Sequence, residues 1–168
     1  MEQKRGWIIG VIGGSHPAEE ECRLAEAVGL AIGQAGATLI CGGRGGVMEA
    51  ACRGAKSAGG FTVGILPGTE RSQANAFVDL PIVTGIGEAR NSIITRTAHA
   101  VIAVGGSYGT LSEIAYALGF ETPVVGLSTW TFSRQGHPPV PIVTADRPGQ
   151  AVEEALRLAR KNTSEKKE

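Results

Sequence analysis

ATLICGGRGGVMEAACRGAKSAGGFTVGIL, residues 37–66, is an apolar run, a glycine cluster, a helical pattern, a double glycine and a second apolar run. The two runs, 37–41 and 61–66, are continuously apolar rather than alternating, as strands are when helices cover both faces of a sheet. The segment between them, 46–58, carries helical periodicity and stops at Gly59-Gly60, where glycine suits a helix C-terminus. Strand, helix, strand in that order specifies a crossover between parallel strands.

The same alternation extends in both directions. Further strands are expected at 7–12, 80–83, 100–104, 123–127 and 140–143, and further helices at 17–35, 88–98, 109–119 and 148–161. Pro17 and Pro148 each suit a first helical turn. The chain therefore predicts an α/β fold: a doubly wound, mostly parallel, Rossmann-like sheet of about seven strands with helices on both faces. One domain over 1–161 is expected, followed by a charged tail, 162–168, that lacks apolar periodicity and frays.

Composition narrows the function. With 168 residues, 16 Lys plus Arg and 16 Asp plus Glu, no global field draws the chain to nucleic acid or an anionic membrane. The apolar runs are short and glycine-interrupted, and MEQKRGWIIG carries no leader pattern, so a cytoplasmic protein is expected. Cys22, Cys41 and Cys52 lack CxxC spacing and read as reduced core thiols, while His16, His99 and His137 are far apart in sequence. Neither a metal nor a cofactor is expected.

In an open parallel sheet the ligand sits beyond the carboxyl ends of the strands. Three loops there are glycine-rich: GVIGGSHP (10–17, with Gly13, Gly14 and Ser15), CGGRGGVMEA (41–50) and VGGSYGTLSE (104–113). Glycine lets backbone N–H groups approach an anion, and each loop feeds a helix N-terminus that favours phosphate. Together they predict a small phosphorylated ligand. An NAD site is disfavoured, because the first loop lacks G-x-G-x-x-G and the second strand ends at Cys41-Gly42-Gly43 without an acidic residue. A pyridoxal-phosphate site would need a lysine, and Lys56, near a helix C-terminus, reads as solvent-facing.

Two charged residues stand out near these loops. Arg90 heads EARNSIITRTAHA, where it aligns with Ile93, Ile94 and Thr97 as an inward stripe; a guanidinium there calls for a carboxylate or phosphate partner. Arg96, off the stripe, faces solvent. Glu113 has two readings. Thr110-Leu111-Ser112-Glu113 matches a capping box, which would make the glutamate structural. Alternatively, a carboxylate at the edge of an apolar helix beside a phosphate-ready loop is an acid, a base or a ribose ligand. His16 is a further ligand contact or a turn residue, Asn75 and Glu70 are candidates for a base pocket, and Trp130 and Phe132 are assigned to packing.

The motifs CGGRGGVMEA and GGSYGTLSE resemble the LOG family of Rossmann-like proteins, over roughly residues 7–130, and LPIVTGIGEARN is similar to its short branch that includes molybdenum-cofactor carriers. The LOG resemblance implies a phosphoribohydrolase, which cleaves the N-glycosidic bond of a nucleoside 5′-monophosphate such as a cytokinin nucleotide or AMP. It implies Glu113 and Arg90 as the catalytic pair. It also implies a 5′-phosphate held by Gly105, Gly106, Gly109 and Thr110, with Gly42, Gly43, Gly45, Gly46 and Met48 forming the opposite wall. The carrier resemblance implies the same architecture holding a phosphorylated pterin without turnover. The pattern is departed from at Val104, where the family motif has proline, and at Asn91, where an arginine-lysine pair is expected. A purely structural role would leave the loops without a ligand. A homodimer is implied by the resemblance and fits the helix carrying Glu113, whose apolar circumference exceeds what one sheet face needs.

Overall fold

The computed structural model describes residues 6–165. Seven strands, β1 (Ile8–Gly13), β2 (Thr38–Cys41), β3 (Thr62–Leu66), β4 (Leu80–Val83), β5 (Ala100–Val104), β6 (Val124–Leu127) and β7 (Ile142–Ala145), form one sheet in the order 4-3-2-1-5-6-7. Every pairing is parallel, so the expected α/β architecture is present. The helices are α1 (Glu19–Gln34), α2 (Val47–Ser57), α3 (Asn91–Thr97), α4 (Tyr108–Gly119) and α5 (Pro148–Glu165).

Helices α1, α2 and α5 bury one face of the sheet around Ile9, Val11, Leu39 and Ile102. Helices α3 and α4 bury the other around Ile12, Ile40, Ile65 and Val101. Both faces of β1 and β5 are thus covered, which is why their sequences are continuously apolar. The close approach of α1 to α2 depends on small residues. A Cβ on Gly29 would overlap the Ala51 carbonyl, and one on Gly54 would overlap the Glu26 carbonyl. Arg53 then bridges to Glu26 at 2.7 Å across the same seam.

Several local expectations shift. Pro17 precedes α1 by two residues, and the first turn is capped by Glu21, which accepts the Ala18 N–H at 2.8 Å. Helix α5 does open at Pro148, but it continues to Glu165, four residues past the expected end; the tail residues 166–168 lie outside the described residues. Lys56 pairs with Asp79 at 2.7 Å rather than facing solvent alone. Cys41 and Cys52 are buried 3.5 Å apart in the core, while Cys22 is half-buried.

The strand order reverses between β1 and β5, which are hydrogen-bonded neighbours up to the Gly13 and Val104 pair at their carboxyl ends. The connections leaving these two strands go to opposite faces, α1 to one and α4 to the other, and they part to leave a crevice. The site lies there.

Candidate functional site

A cleft of about 480 Å³ opens at this switch point. Gly13, Ser15 and His16 reach it from the end of β1, Arg44, Gly45 and Met48 from the β2–α2 loop, and Ser107, Gly109, Thr110 and Glu113 from α4 and its lead-in. Glu88, Arg90 and Asn91 complete the wall from the turn before α3. Nine of the residues named from the sequence therefore share one cavity: Gly13, Ser15, His16, Gly45, Met48, Arg90, Gly109, Thr110 and Glu113.

The other glycines shape the cleft from behind. Gly14 accepts the Val47 N–H at 3.0 Å, which ties the first glycine loop to the start of α2. Gly46, at φ +70°, sits where a side chain would strike the Gly14 and Ser15 backbone. Gly43 packs on Gly64, and Gly42 leaves room for the Arg90 guanidinium, which a Cβ there would overlap. Gly105 and Gly106 face a smaller depression of about 250 Å³ beside Glu21, Ser128, Thr129 and Trp130, not the main cleft.

Arg90 is 5 % exposed, but not by the expected route. Residues Gly87–Arg90 form a 3₁₀ turn, and α3 starts only at Asn91. The buried stripe is consequently Asn91, Ile94, Thr95 and Ala98, whereas Ile93 is exposed; the tighter turn shifts the helical register by one residue. The guanidinium enters the core from that turn and donates from Nη1 to the Ile65 carbonyl at 2.8 Å. Its Nε has no partner among the described residues. Arg96 lies over the Phe120 ring, 4.4 Å from its centre, on the outer surface.

Glu113 is not a cap. The N-cap of α4 is Ser107, so Thr110 is already the third helical residue and Glu113 the sixth. The reason is the turn at Gly105-Gly106, both at positive φ, which reverses the chain directly after β5 and starts the helix earlier than the T-x-x-E pattern suggests. Glu113 is 7 % exposed and lines the cleft. Burial pushes its carboxyl up to about 8; the nearby Arg90 charge opposes this and the Glu88 carboxylate adds to it. Among the described residues neither Arg90 nor Glu113 makes an ion pair.

Two more cleft residues have unmet bonding capacity. Thr110 is 1 % exposed with no partner for Oγ1, and Asn91 is 3 % exposed with none for Oδ1 among the described residues. Buried polar groups are nearly always bonded, so three such groups around one cavity, Arg90 Nε, Asn91 Oδ1 and Thr110 Oγ1, mark it as built for a polar ligand. His16 lines the cleft with its Nδ1 3.1 Å from Ser15 Oγ. Asn75 does not line it: its Nδ2 donates to the Arg44 carbonyl at 2.9 Å and its N–H to the Gly43 carbonyl at 2.8 Å, so it braces the second glycine loop. Glu70 lies outside the cleft as well. Trp130 and Phe132 pack against the α3/α4-side core.

Sequence reasoning did not single out Arg44, Glu88 or Ser107 as lining residues. Arg44, a cation flanked by glycine pairs, carried the one signal that was there to read; Glu88 and Ser107 carried none.

Residues 6–152 match the SLOG cluster4 family. An uncharacterised protein of Archaeoglobus fulgidus is 53 % identical over 110 residues, 66 % of this chain and 72 % of that one. A cytokinin riboside 5′-monophosphate phosphoribohydrolase of Mycobacterium tuberculosis is 33 % identical over 134 residues, 74 % of this chain and 72 % of that enzyme. Among solved structures, the molybdenum cofactor binding protein of Rippkaea orientalis superposes with a TM-score of 0.84 at 36 % identity, covering 92 % of this chain and 97 % of that one. The resemblance carried by the two glycine motifs thus holds across the fold, and the chain belongs to the LOG-like SLOG cluster4 family.

Proposed function

We propose that the protein is a nucleoside 5′-monophosphate phosphoribohydrolase. The observation that carries this reading is Glu113, a buried carboxyl that caps nothing, bonds to no described residue and lines the switch-point cleft together with Arg90. In the reaction, water adds its hydroxyl to C1′, the bond from C1′ to the base nitrogen breaks, and the base takes up a proton. The products are free base and ribose 5-phosphate. Positive charge grows on the ribose as the base departs, and an ionised Glu113 beside C1′ stabilises it. A carboxyl held near 8 is poised to change protonation in the working range.

Arg90 supplies the cation. Its free Nε–H can donate to a ligand oxygen while Nη1 stays anchored on Ile65. The backbone N–H groups at the start of α4, with the Thr110 hydroxyl, offer a seat for the 5′-phosphate. Gly105 and Gly106 contribute by turning the chain so that this helix end faces the cleft. The site operates in a homodimer in this reading, with the exposed Tyr116, the neighbouring Phe120 and the exposed Ile93 of the α3/α4 layer forming the contact.

A second reading is supported by the full-length likeness to the Rippkaea orientalis protein: binding of a phosphorylated pterin without turnover. One experiment separates the two. Purified protein is incubated with a panel of nucleoside 5′-monophosphates and free base is followed by chromatography, with Glu113→Gln and Arg90→Ala alongside. Base release lost in both variants supports hydrolysis. No release by any sample, together with tight binding of molybdopterin, replaces it with the carrier reading.

A further inference from the structure

The wall of the cleft carries a buried hydrogen-bond acceptor, Asn91 Oδ1, for which phosphate chemistry has no use. Asn91 is 3 % exposed and lines the wall beside Arg90. Its amide orientation is fixed by a neighbour. Ser112 Oγ donates its single hydrogen to the Gly109 carbonyl at 2.7 Å, so towards Asn91, 3.4 Å away, it can only accept. The Asn91 Nδ2 therefore faces Ser112, and Oδ1 is left without a partner among the described residues. A buried acceptor without a donor costs free energy and calls for a ligand hydrogen.

A phosphate dianion has no hydrogen to give. The donors of a nucleoside monophosphate are its ribose hydroxyls and, depending on the base, an amino group or a ring N–H. Asn91 contacts Ser112, the residue before Glu113 in α4, and both Asn91 and Glu113 line the same cavity. With Glu113 placed at C1′, the adjacent hydroxyl is the one on C2′. We infer that Asn91 accepts a hydrogen bond from the ribose 2′-hydroxyl and makes the cleft selective for ribonucleotides over 2′-deoxyribonucleotides; this rests on the phosphoribohydrolase reading. A ligand lacking that hydroxyl leaves Oδ1 unpaired in the complex, and sites built to bond a hydroxyl reject its absence more strongly than apolar pockets reject a methylene.

The test compares AMP, 2′-dAMP and 3′-dAMP as substrates for the wild type, Asn91→Leu and Asn91→Ala, each checked for folding by thermal denaturation. The expected result is a wild-type kcat/KM for AMP about 10-fold or more above that for 2′-dAMP, collapsing to near parity in both variants because activity on AMP falls while activity on 2′-dAMP holds. Retention of the wild-type ratio in the variants overturns the assignment while leaving hydrolysis intact. So does a collapse confined to the 3′-dAMP comparison. If nucleotides bind without being cleaved, the catalytic reading fails, and the ratio of the calorimetric Kd values for AMP and 2′-dAMP in wild type and variants decides Asn91 on its own. Absence of both cleavage and nucleotide binding overturns the two together.

Discussion

Replacing Glu113 by glutamine should change how stability depends on pH. A carboxyl raised from 4.5 to about 8 holds a proton in the native state that the unfolded chain has released. Between those values the native state binds more protons, so this group's contribution is fully present below pH 4.5 and is lost as pH rises through 8. At about 1.36 kcal/mol per pH unit the whole displacement is worth about 5 kcal/mol, a ceiling that water entering the cleft lowers. Glutamine has nearly the same shape and does not titrate. Urea unfolding followed by the fluorescence of Trp7 and Trp130, at intervals from pH 5 to pH 9, should show the variant gaining on the wild type by about 2–5 kcal/mol across the range. Taking the difference between the two proteins cancels the histidines and thiols that both retain. A difference that stays flat within about 0.5 kcal/mol would falsify the claim that Glu113 is buried without a bonding partner. The same titration has a kinetic counterpart: if the ionised carboxylate is the working form, kcat/KM for base release should rise with pH towards a plateau above about 8.

Other perturbations test separate parts of the structure. Gly29→Ala should destabilise the fold by about 2–3 kcal/mol in denaturant unfolding, since its methyl would push α1 away from the Ala51 carbonyl. Gly42→Ala should displace the Arg90 guanidinium and reduce nucleotide affinity in calorimetry by about 10-fold or more, with little change in secondary structure by circular dichroism. Light scattering should give a dimer for the wild type and a monomer for Tyr116→Asp, because a charge on the exposed α4 face would be trapped in the contact; a monomeric wild type at micromolar concentration would remove the dimer from the proposal.

What the sequence made legible was periodic. Continuous apolar strands separated by helical patterns imply a covered parallel sheet, and that inference needs no knowledge of contacts. The glycine loops were legible for a related reason, since strand ends in such sheets face the ligand side. Arg90 was identified as buried for a partly wrong reason: helical spacing was extended through a 3₁₀ turn, and the true stripe runs through Asn91, Ile94, Thr95 and Ala98. Glu113 could not be decided from the chain alone, because the T-x-x-E spacing is consistent with a cap whenever the helix start is unknown. Two positive-φ glycines set that start, and a glycine's φ is not written in its neighbours. The role of Gly29 and Gly54 in bringing α1 against α2 was equally hidden, because it depends on two segments far apart in sequence.

The unmet bonding groups explain why the site is where it is. Arg90 and Asn91 come from the end of one connection, Thr110 and Glu113 from the beginning of the next, and Gly13, Ser15 and His16 from the far side of the sheet's midpoint. They meet only because β1 and β5 are neighbours although α1, β2, α2, β3, β4 and α3 intervene in the chain. Buried donors and acceptors without partners each destabilise a protein, so a fold carrying several of them must obtain its stability elsewhere. Here that comes from strands covered on both faces and from the contact of α1 with α2 at Gly29 and Gly54, two glycines that do not line the cleft. Such a division allows the cavity to be lined by polar groups without protein partners. It also means that ligand binding should raise the melting temperature of the wild type more than that of Asn91→Leu, since the variant has one fewer unpaired group for the ligand to satisfy.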